Sequence, residues 1–125
     1  MIQVELDNRS GTGVAVDEVR AFAVDVLRRE GVADGELGLW FVSPDEIRTL
    51  KRKHLGIDEI TDVLSFPIDG AAELPAGLPR ALGDVFICPQ VVEDAWRAPL
   101  AHGLLHLLGY AHGGAMERRE RELLT

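Results

Sequence analysis

Three of the chain's four histidines lie in one short segment, residues 102–112, with the sequence HGLLHLLGYAH. His102 and His106 are four residues apart, so a helix places both imidazoles on one face, one turn apart. Gly109 can take the left-handed conformation that ends a helix without steric cost, and the chain can then turn back. The spacing therefore predicts that His112 meets the first two histidines at one point.

Neutral imidazole is the commonest metal-binding side chain, and three imidazoles leave the fourth position of a tetrahedral site open to water. That arrangement is typical of catalytic zinc sites. We therefore expect one zinc ion per chain, bound by His102, His106 and His112. Nickel, copper and iron also bind imidazole. A lone histidine on a leucine-rich helix is more often an ordinary core or surface residue, but the clustering of three favours a metal.

The spacing of the three histidines and the glycine equals that of the metzincin proteases, where a glutamate directly after the first histidine is the general base. Here that position is Gly103, which can neither take nor give a proton. Peptidase activity by that route is therefore disfavoured. Zinc alone lowers the pKa of bound water to about 7, so hydrolysis of a carbonyl or a phosphodiester stays open.

The length of 125 residues predicts a single domain, residues 1–125, that can bury its own core. Cys88 is the one cysteine, which excludes an internal disulfide and favours a reducing, cytoplasmic setting. The first residues carry no secretory signal, and no apolar run approaches the roughly 18 residues of a membrane span. We therefore expect a soluble protein with no membrane partner, and the oligomeric state stays open.

The net charge of -8 argues against non-specific binding to nucleic acid, which depends on neutralising phosphates. One basic run, Lys51-Arg52-Lys53-His54, stands against this trend. A run of this kind is usually a solvated helix face, and a contact with phosphate is the alternative.

Apolar periodicity and turn residues predict an α+β domain in which one small, mixed, four-stranded sheet packs with helices. The predicted strands are residues 2–6, 36–42, 61–66 and 82–88, the last two antiparallel, with Pro67 stopping the third. The predicted helices are residues 15–30, a capping-box helix from Ser43 to His54, one from Pro89 broken by Pro99, the histidine helix, and 115–124. Residues 68–80 are expected to form an exposed loop. The metal site then lies on a helix and the turn that follows it.

Three segments, in their order along the chain, resemble the YbeY family of bacterial rRNA maturation factors and endoribonucleases. They are Thr61–Pro67 (TDVLSFP), Leu82–Val85 (LGDV) and the histidine segment 102–112. Met116 and Glu120 fall roughly where the family has a Met and a Glu. The resemblance covers most of the chain, and the histidine motif combined with TDVLSFP is highly specific.

The resemblance implies a zinc-dependent endoribonuclease that cuts single-stranded RNA in the cytoplasm. It implies a role in maturation of the 3′ end of small-subunit rRNA and in ribosome quality control, with ribosomal components as partners. The three family ligands carry over onto His102, His106 and His112. A non-catalytic ribosome-assembly factor, stabilised by zinc and binding rRNA or a ribosomal protein, is the alternative.

The sequence departs from the family pattern in three places. Ala111 stands where the family usually has Asp before the third histidine, and Leu55 stands where it has an Arg suited to clamping a phosphate. The segment between Cys88 and His102 is also shorter than usual. Arg52 and Lys53 are the candidates to replace the missing Arg as contacts to the substrate.

Three further polar residues are candidates to face the cleft. Asp62 and Asp84 begin the third and fourth predicted strands, where Asp is either a turn residue or a partner of the site. Ser65 is expected to line the cleft, since no histidine–aspartate relay lies near it in sequence to make it a nucleophile. Tyr110 follows Gly109 and can close over the histidine turn.

Overall fold

A mixed four-stranded sheet forms the centre of the structure, a computed structural model that describes residues 1–70 and 72–125. Its strands are β1 (Ile2–Asn8), β2 (Gly35–Phe41), β3 (Val63–Pro67) and β4 (Ala81–Ile87). The strand order is β1-β2-β4-β3, with β1, β2 and β4 parallel and β3 antiparallel to β4. This confirms the predicted α+β fold with its mixed sheet and antiparallel last pair.

Five helices surround the sheet in the described part of the chain. They are α1 (Val16–Arg29), α2 (Pro44–Leu55), α3 (Pro89–Val92), α4 (Arg97–Leu107) and α5 (Gly114–Leu123). None of these helices is long and apolar enough to cross a membrane.

The sheet separates two apolar clusters because side chains alternate along each strand. On one face, Val85 and Ile87 of β4 pack with α1 and α4, whose buried residues include Val26 and Leu104. On the other face α2 covers a smaller cluster through Ile47. Helix α4, which carries two of the histidines, is therefore fixed on the larger core.

Two helices, α2 and α3, differ in detail from the sequence prediction. Ser43 accepts a hydrogen bond from the backbone N–H of Glu46 (3.2 Å), but the Glu46 carboxylate bonds to Arg9 (2.6 Å), so only half of the capping box forms. Helix α3 ends at Val92, well before Pro99, since Glu93 takes a left-handed φ of 52°. Pro99 lies in the first turn of α4, as predicted.

Pro67 does not stop β3 but is its last paired residue, opposite Gly83. Proline cannot donate to a strand ladder, so it is confined to edge strands and strand ends. β3 is one of the two edge strands of this sheet, with β4 as its one neighbouring strand in the described structure. The exposed edge also matters for the site, because the histidine helix lies directly beside it.

Helix α4 crosses β3 and β4 at Gly103, where a side chain has no room. A Cβ at this position would lie 2.9 Å from Ser65 Oγ, 3.0 Å from Val85 Cγ1 and 3.1 Å from Val63 Cγ2. The Ser65 hydroxyl also donates to the carbonyl oxygen of Gly103 (3.0 Å). A glutamate at position 103, as in the metzincin proteases, is therefore excluded by packing as well as by sequence.

We predict that Gly103→Ala destabilises the fold by roughly 1–2 kcal/mol, because the cost of overpacking exceeds the gain in helix propensity of about 1 kcal/mol. Gly114→Ala is the matched control, since a Cβ there meets only the flexible end of Arg118 at 3.5 Å. Urea unfolding of both variants measures the difference. A Gly103→Ala protein as stable as Gly114→Ala would contradict the close packing.

Candidate metal centre

The histidine segment combines a buried helix with a turn. Leu104, Leu105 and Leu107 bury the core side of α4 and leave His102 and His106 half-buried on its other side. Gly109 takes a left-handed φ of 98°, and the N–H of Tyr110 bonds to the carbonyl of Leu105 (3.1 Å). The chain therefore reverses directly after the helix, as the sequence predicts.

This reversal brings three imidazole nitrogens together. His106 Nε2 lies 3.1 Å from His102 Nε2 and 3.1 Å from His112 Nε2. One nitrogen from each ring can be chosen so that all three lie within 4.8 Å of one another. The three side chains thus form a group that could hold one metal ion.

Two of the rings are oriented by their other nitrogen. His106 Nδ1 lies 3.0 Å from the carbonyl oxygen of Tyr110, and His102 Nδ1 is paired with the Glu120 carboxylate. A carbonyl and a carboxylate oxygen both accept, so each Nδ1 carries the hydrogen and each Nε2 presents a lone pair.

Lone pairs that face one another at 3.1 Å repel unless a cation lies between them. The donor set therefore fits a metal ion that prefers imidazole nitrogen. Burial, followed by the charge of His102, lowers the pKa of His106, which favours the neutral ring that a metal requires. The three Nε2 atoms could therefore hold one cation between them.

His112 has the least support of the three ligands. Its side chain is exposed, and it reaches the site from the loop between α4 and α5. The preceding residue is Ala111, whose side chain has no polar atom with which to orient a ring. A carboxylate next to a ligating histidine fixes the ring and typically improves metal affinity 10–100-fold.

The three histidines open into a cleft of about 920 Å³ at the edge of β3. One wall is formed by α4 and the histidines, and the other by the end of α2 with Lys51, His54 and Leu55. Of the predicted substrate contacts, Asp62 and Ser65 line this cleft. The floor between the walls is β3 itself.

The side chains of Asp62 and Ser65 both make hydrogen bonds to neighbouring backbone groups. The Asp62 carboxylate accepts from the N–H of Val63 (2.8 Å) at the start of β3. Ser65 donates to α4, as described above, and so ties the strand to the histidine helix. Both residues therefore shape the cleft, and Asp62 remains exposed to it.

The structure does not bring Asp84 to the histidines. Strand alternation puts Val85 on the α4 side of the sheet, so Asp84 lies on the opposite face. There its carboxylate accepts a hydrogen bond from Trp40 Nε1 (3.0 Å). The position of Asp84 near the start of a predicted strand did not determine on which face of the sheet its side chain lies.

Arg52 and Lys53 are also absent from the described cleft lining; they are exposed elsewhere on α2. Residues three or four apart share a helix face, so Lys51, His54 and Leu55 face the cleft together. The basic run lies on a helix, as predicted, and its members that line the cleft are Lys51 and His54.

The Tyr110 side chain does not line the cleft. Its hydroxyl donates to Glu30 of the segment after α1 (3.0 Å), and this hydrogen bond raises the pKa of the phenol. Its contribution to the site is its backbone carbonyl, which orients His106. Glu120 is the other residue that orients a ring of the site. The sequence resemblance placed Glu120 where the family has a Glu, but it did not predict the contact with His102.

The chain is similar along nearly its whole length to one family of known proteins. A family model described as Endoribonuclease YbeY matches residues 5–125. The Endoribonuclease YbeY of Halorhodospira halophila is 36% identical over 144 residues, covering 100% of this chain and 93% of that protein. The Endoribonuclease YbeY of Chromohalobacter salexigens is 41% identical over 141 residues, covering 98% and 89%. This chain belongs to the YbeY family.

The predicted family is therefore confirmed, and its name agrees with the nuclease class predicted from the sequence. The solution structure of TM1509 from Thermotoga maritima matches with a TM-score of 0.60 and 24% identity, over 99% of this chain and 87% of that one. That likeness supports the fold of this YbeY family member.

We predict that Glu120→Gln weakens metal binding about 10–100-fold, since the amide no longer holds His102 as a charged acceptor does. Glu117→Gln, which removes the same charge from an exposed position on α5, is the matched control. Competition of each variant with a calibrated zinc chelator gives the two affinities. Equal zinc affinities for the two variants would show that Glu120 does not support the site.

Proposed function

We propose that this chain is a zinc-dependent endoribonuclease that cuts single-stranded RNA during maturation of the 3′ end of small-subunit rRNA. The observation that carries the proposal is the convergence of three Nε2 atoms, two of them with oriented rings, beside an open cleft in a YbeY-family chain. A part in ribosome quality control, a cytoplasmic location and ribosomal components as partners belong to the same proposal.

Each residue of the site has a separate task. His102, His106 and His112 hold the zinc, while Glu120 and the Tyr110 carbonyl keep the first two rings in register. When bound, zinc supplies a Lewis acid that activates water and stabilises charge developing on phosphate oxygens.

The cleft favours a strand whose bases are not paired. It runs along the edge of β3 between α2 and α4, and its lining mixes apolar side chains with one lysine and four histidines. Unstacked bases and a flexible backbone can enter such a groove, as is usual in RNA recognition. Asp62 and Glu120 are carboxylates in the same lining, so the metal's charge is needed to attract phosphate.

The alternative is a ribosome-assembly factor that binds zinc for stability and does not cut. Two observations favour it: Ala111 leaves His112 without an adjacent carboxylate, and Leu55 puts an exposed apolar side chain on the cleft wall. Zinc binding and RNA cleavage are therefore measured separately.

We predict that the zinc-loaded protein cuts a single-stranded RNA oligonucleotide and that His106→Ala abolishes both the bound zinc and the cutting. His54→Ala removes the fourth histidine and should leave one zinc per chain, which separates ligand loss from general damage. Metal analysis and gel assays with a chelator control give the result. Cutting that survives in His106→Ala would overturn the mechanism, and zinc without cutting would favour the assembly factor.

We also predict that Ala111→Asp tightens zinc binding about tenfold or more, because a carboxylate beside His112 can orient its ring. Ala115→Asp is the control, since it adds the same charge at an exposed position three residues after His112. Chelator competition measures both. If the two variants bind zinc equally, the weakness assigned to His112 is wrong.

A further inference from the structure

The α2 wall of the cleft lies across the edge of β3 from the metal site and carries a different chemistry. Lys51, His54 and Leu55 lie on one face of the helix, at positions three and four residues apart, and all three line the cleft. Phe66 of β3 continues this wall. A positive charge, an imidazole and an aromatic ring therefore stand together opposite the histidines.

Lys51 is the single Lys or Arg in the described lining of the cleft. Its side chain is only 14% exposed, so the stem is packed and the ammonium group is confined to the wall. The ammonium is paired with the carboxylate of Glu59, which is 60% exposed. Because the chain has a net charge of -8, this confined cation is the cleft's main protein-based attraction for an anion.

The Lys51–Glu59 pair is suited to exchange. Glu59 lies in the segment between α2 and β3, and neighbouring Asp58 is held by Arg48 of α2 (2.7 Å). An exposed carboxylate such as that of Glu59 gains little from an ion pair in water, so its hold on Lys51 is weak. A backbone phosphate entering the cleft can therefore take the place of Glu59 on Lys51.

His54 offers a surface for a base. Its side chain is exposed, and its ring centroid lies 4.9 Å from that of Phe66. Phe66 is half-buried and is fixed by an edge-on contact with Phe86 at 5.7 Å. An exposed ring supported by a fixed one is the kind of platform on which unpaired bases stack.

We infer that the α2 wall is a nucleotide-binding subsite of the nuclease, in which Lys51 binds a backbone phosphate in place of Glu59 and His54 stacks on the adjoining base. The inference rests on the proposed function, since it assigns a part of that cleft to the RNA strand. It names a phosphate contact and a base contact within the cleft lining, where Arg52, Lys53 and Asp84 do not lie.

The phosphate contact is tested by binding, without any need for cutting. A fluorescent single-stranded DNA oligonucleotide, an analogue that lacks the 2′-hydroxyl, is titrated with the zinc-loaded full chain at several salt concentrations. Lys51→Gln should reduce the slope of log K against log salt by about 0.7, the value for one phosphate on a single strand. Lys53→Gln removes the same charge outside the cleft and should leave the slope unchanged. Equal slopes for the two variants would overturn the phosphate contact.

The exchange with Glu59 is tested by a double-mutant cycle. Glu59→Gln should tighten binding several-fold in the native protein, because Lys51 is then free. It should have a much smaller effect when Lys51→Gln is already present. A Glu59→Gln effect of the same size in both backgrounds would show a general charge effect, and would overturn the exchange.

The base contact is tested with a probe in which single bases are removed. His54→Ala should weaken binding of the intact probe about fivefold or more, and His54→Tyr should restore it. Removing the base that stacks should weaken binding to the native chain and leave binding to His54→Ala unchanged. If every abasic probe loses the same binding affinity with the native chain and with His54→Ala, no base stacks on His54.

Cleavage of RNA by the same preparations separates this inference from the proposed function. Altered binding as described, with no cutting of RNA, would sustain the subsite and overturn the nuclease. Cutting with binding unaffected by Lys51→Gln and His54→Ala would sustain the nuclease and overturn the subsite.

Discussion

The close approach of α4 to the edge of the sheet is the contact on which the site depends. Gly103 lets the helix lie so close to Ser65, Val63 and Val85 that a Cβ at this position would force its neighbours to shift. That contact fixes the height and rotation of the helix above β3. It thereby aims His102 and His106 into the cleft and leaves room for a strand along the free edge.

The rest of the centre follows from how the chain continues after the helix. A left-handed Gly109 reverses the backbone, which brings His112 to the other two rings and the carbonyl of Tyr110 to His106. Helix α5 then returns beside α4 and supplies Glu120 to His102. Each orienting group thus comes from a segment positioned by the preceding turn, and a bound metal would connect α4 to the turn that carries His112.

Local features of this chain were predictable from its sequence. The face of the sheet or helix on which a given side chain lies was not. The geometry of the site could be predicted because it is set within one segment. His102 and His106 are spaced i, i+4, and a glycine follows them. Asp84 and the α2 residues are different, because their roles depend on strand alternation and helix rotation relative to distant elements. Glu120 touches His102 across 18 residues, a contact that exists only once α5 has folded back.

The most direct test of the metal centre is X-ray absorption at the zinc edge of the zinc-loaded protein. We predict three imidazole nitrogens and one further light atom at about 2.0–2.1 Å, and one imidazole fewer in His112→Ala. A sulfur ligand, which would come from Cys88, or an imidazole count that is unchanged in His112→Ala, would contradict a site formed by His102, His106 and His112.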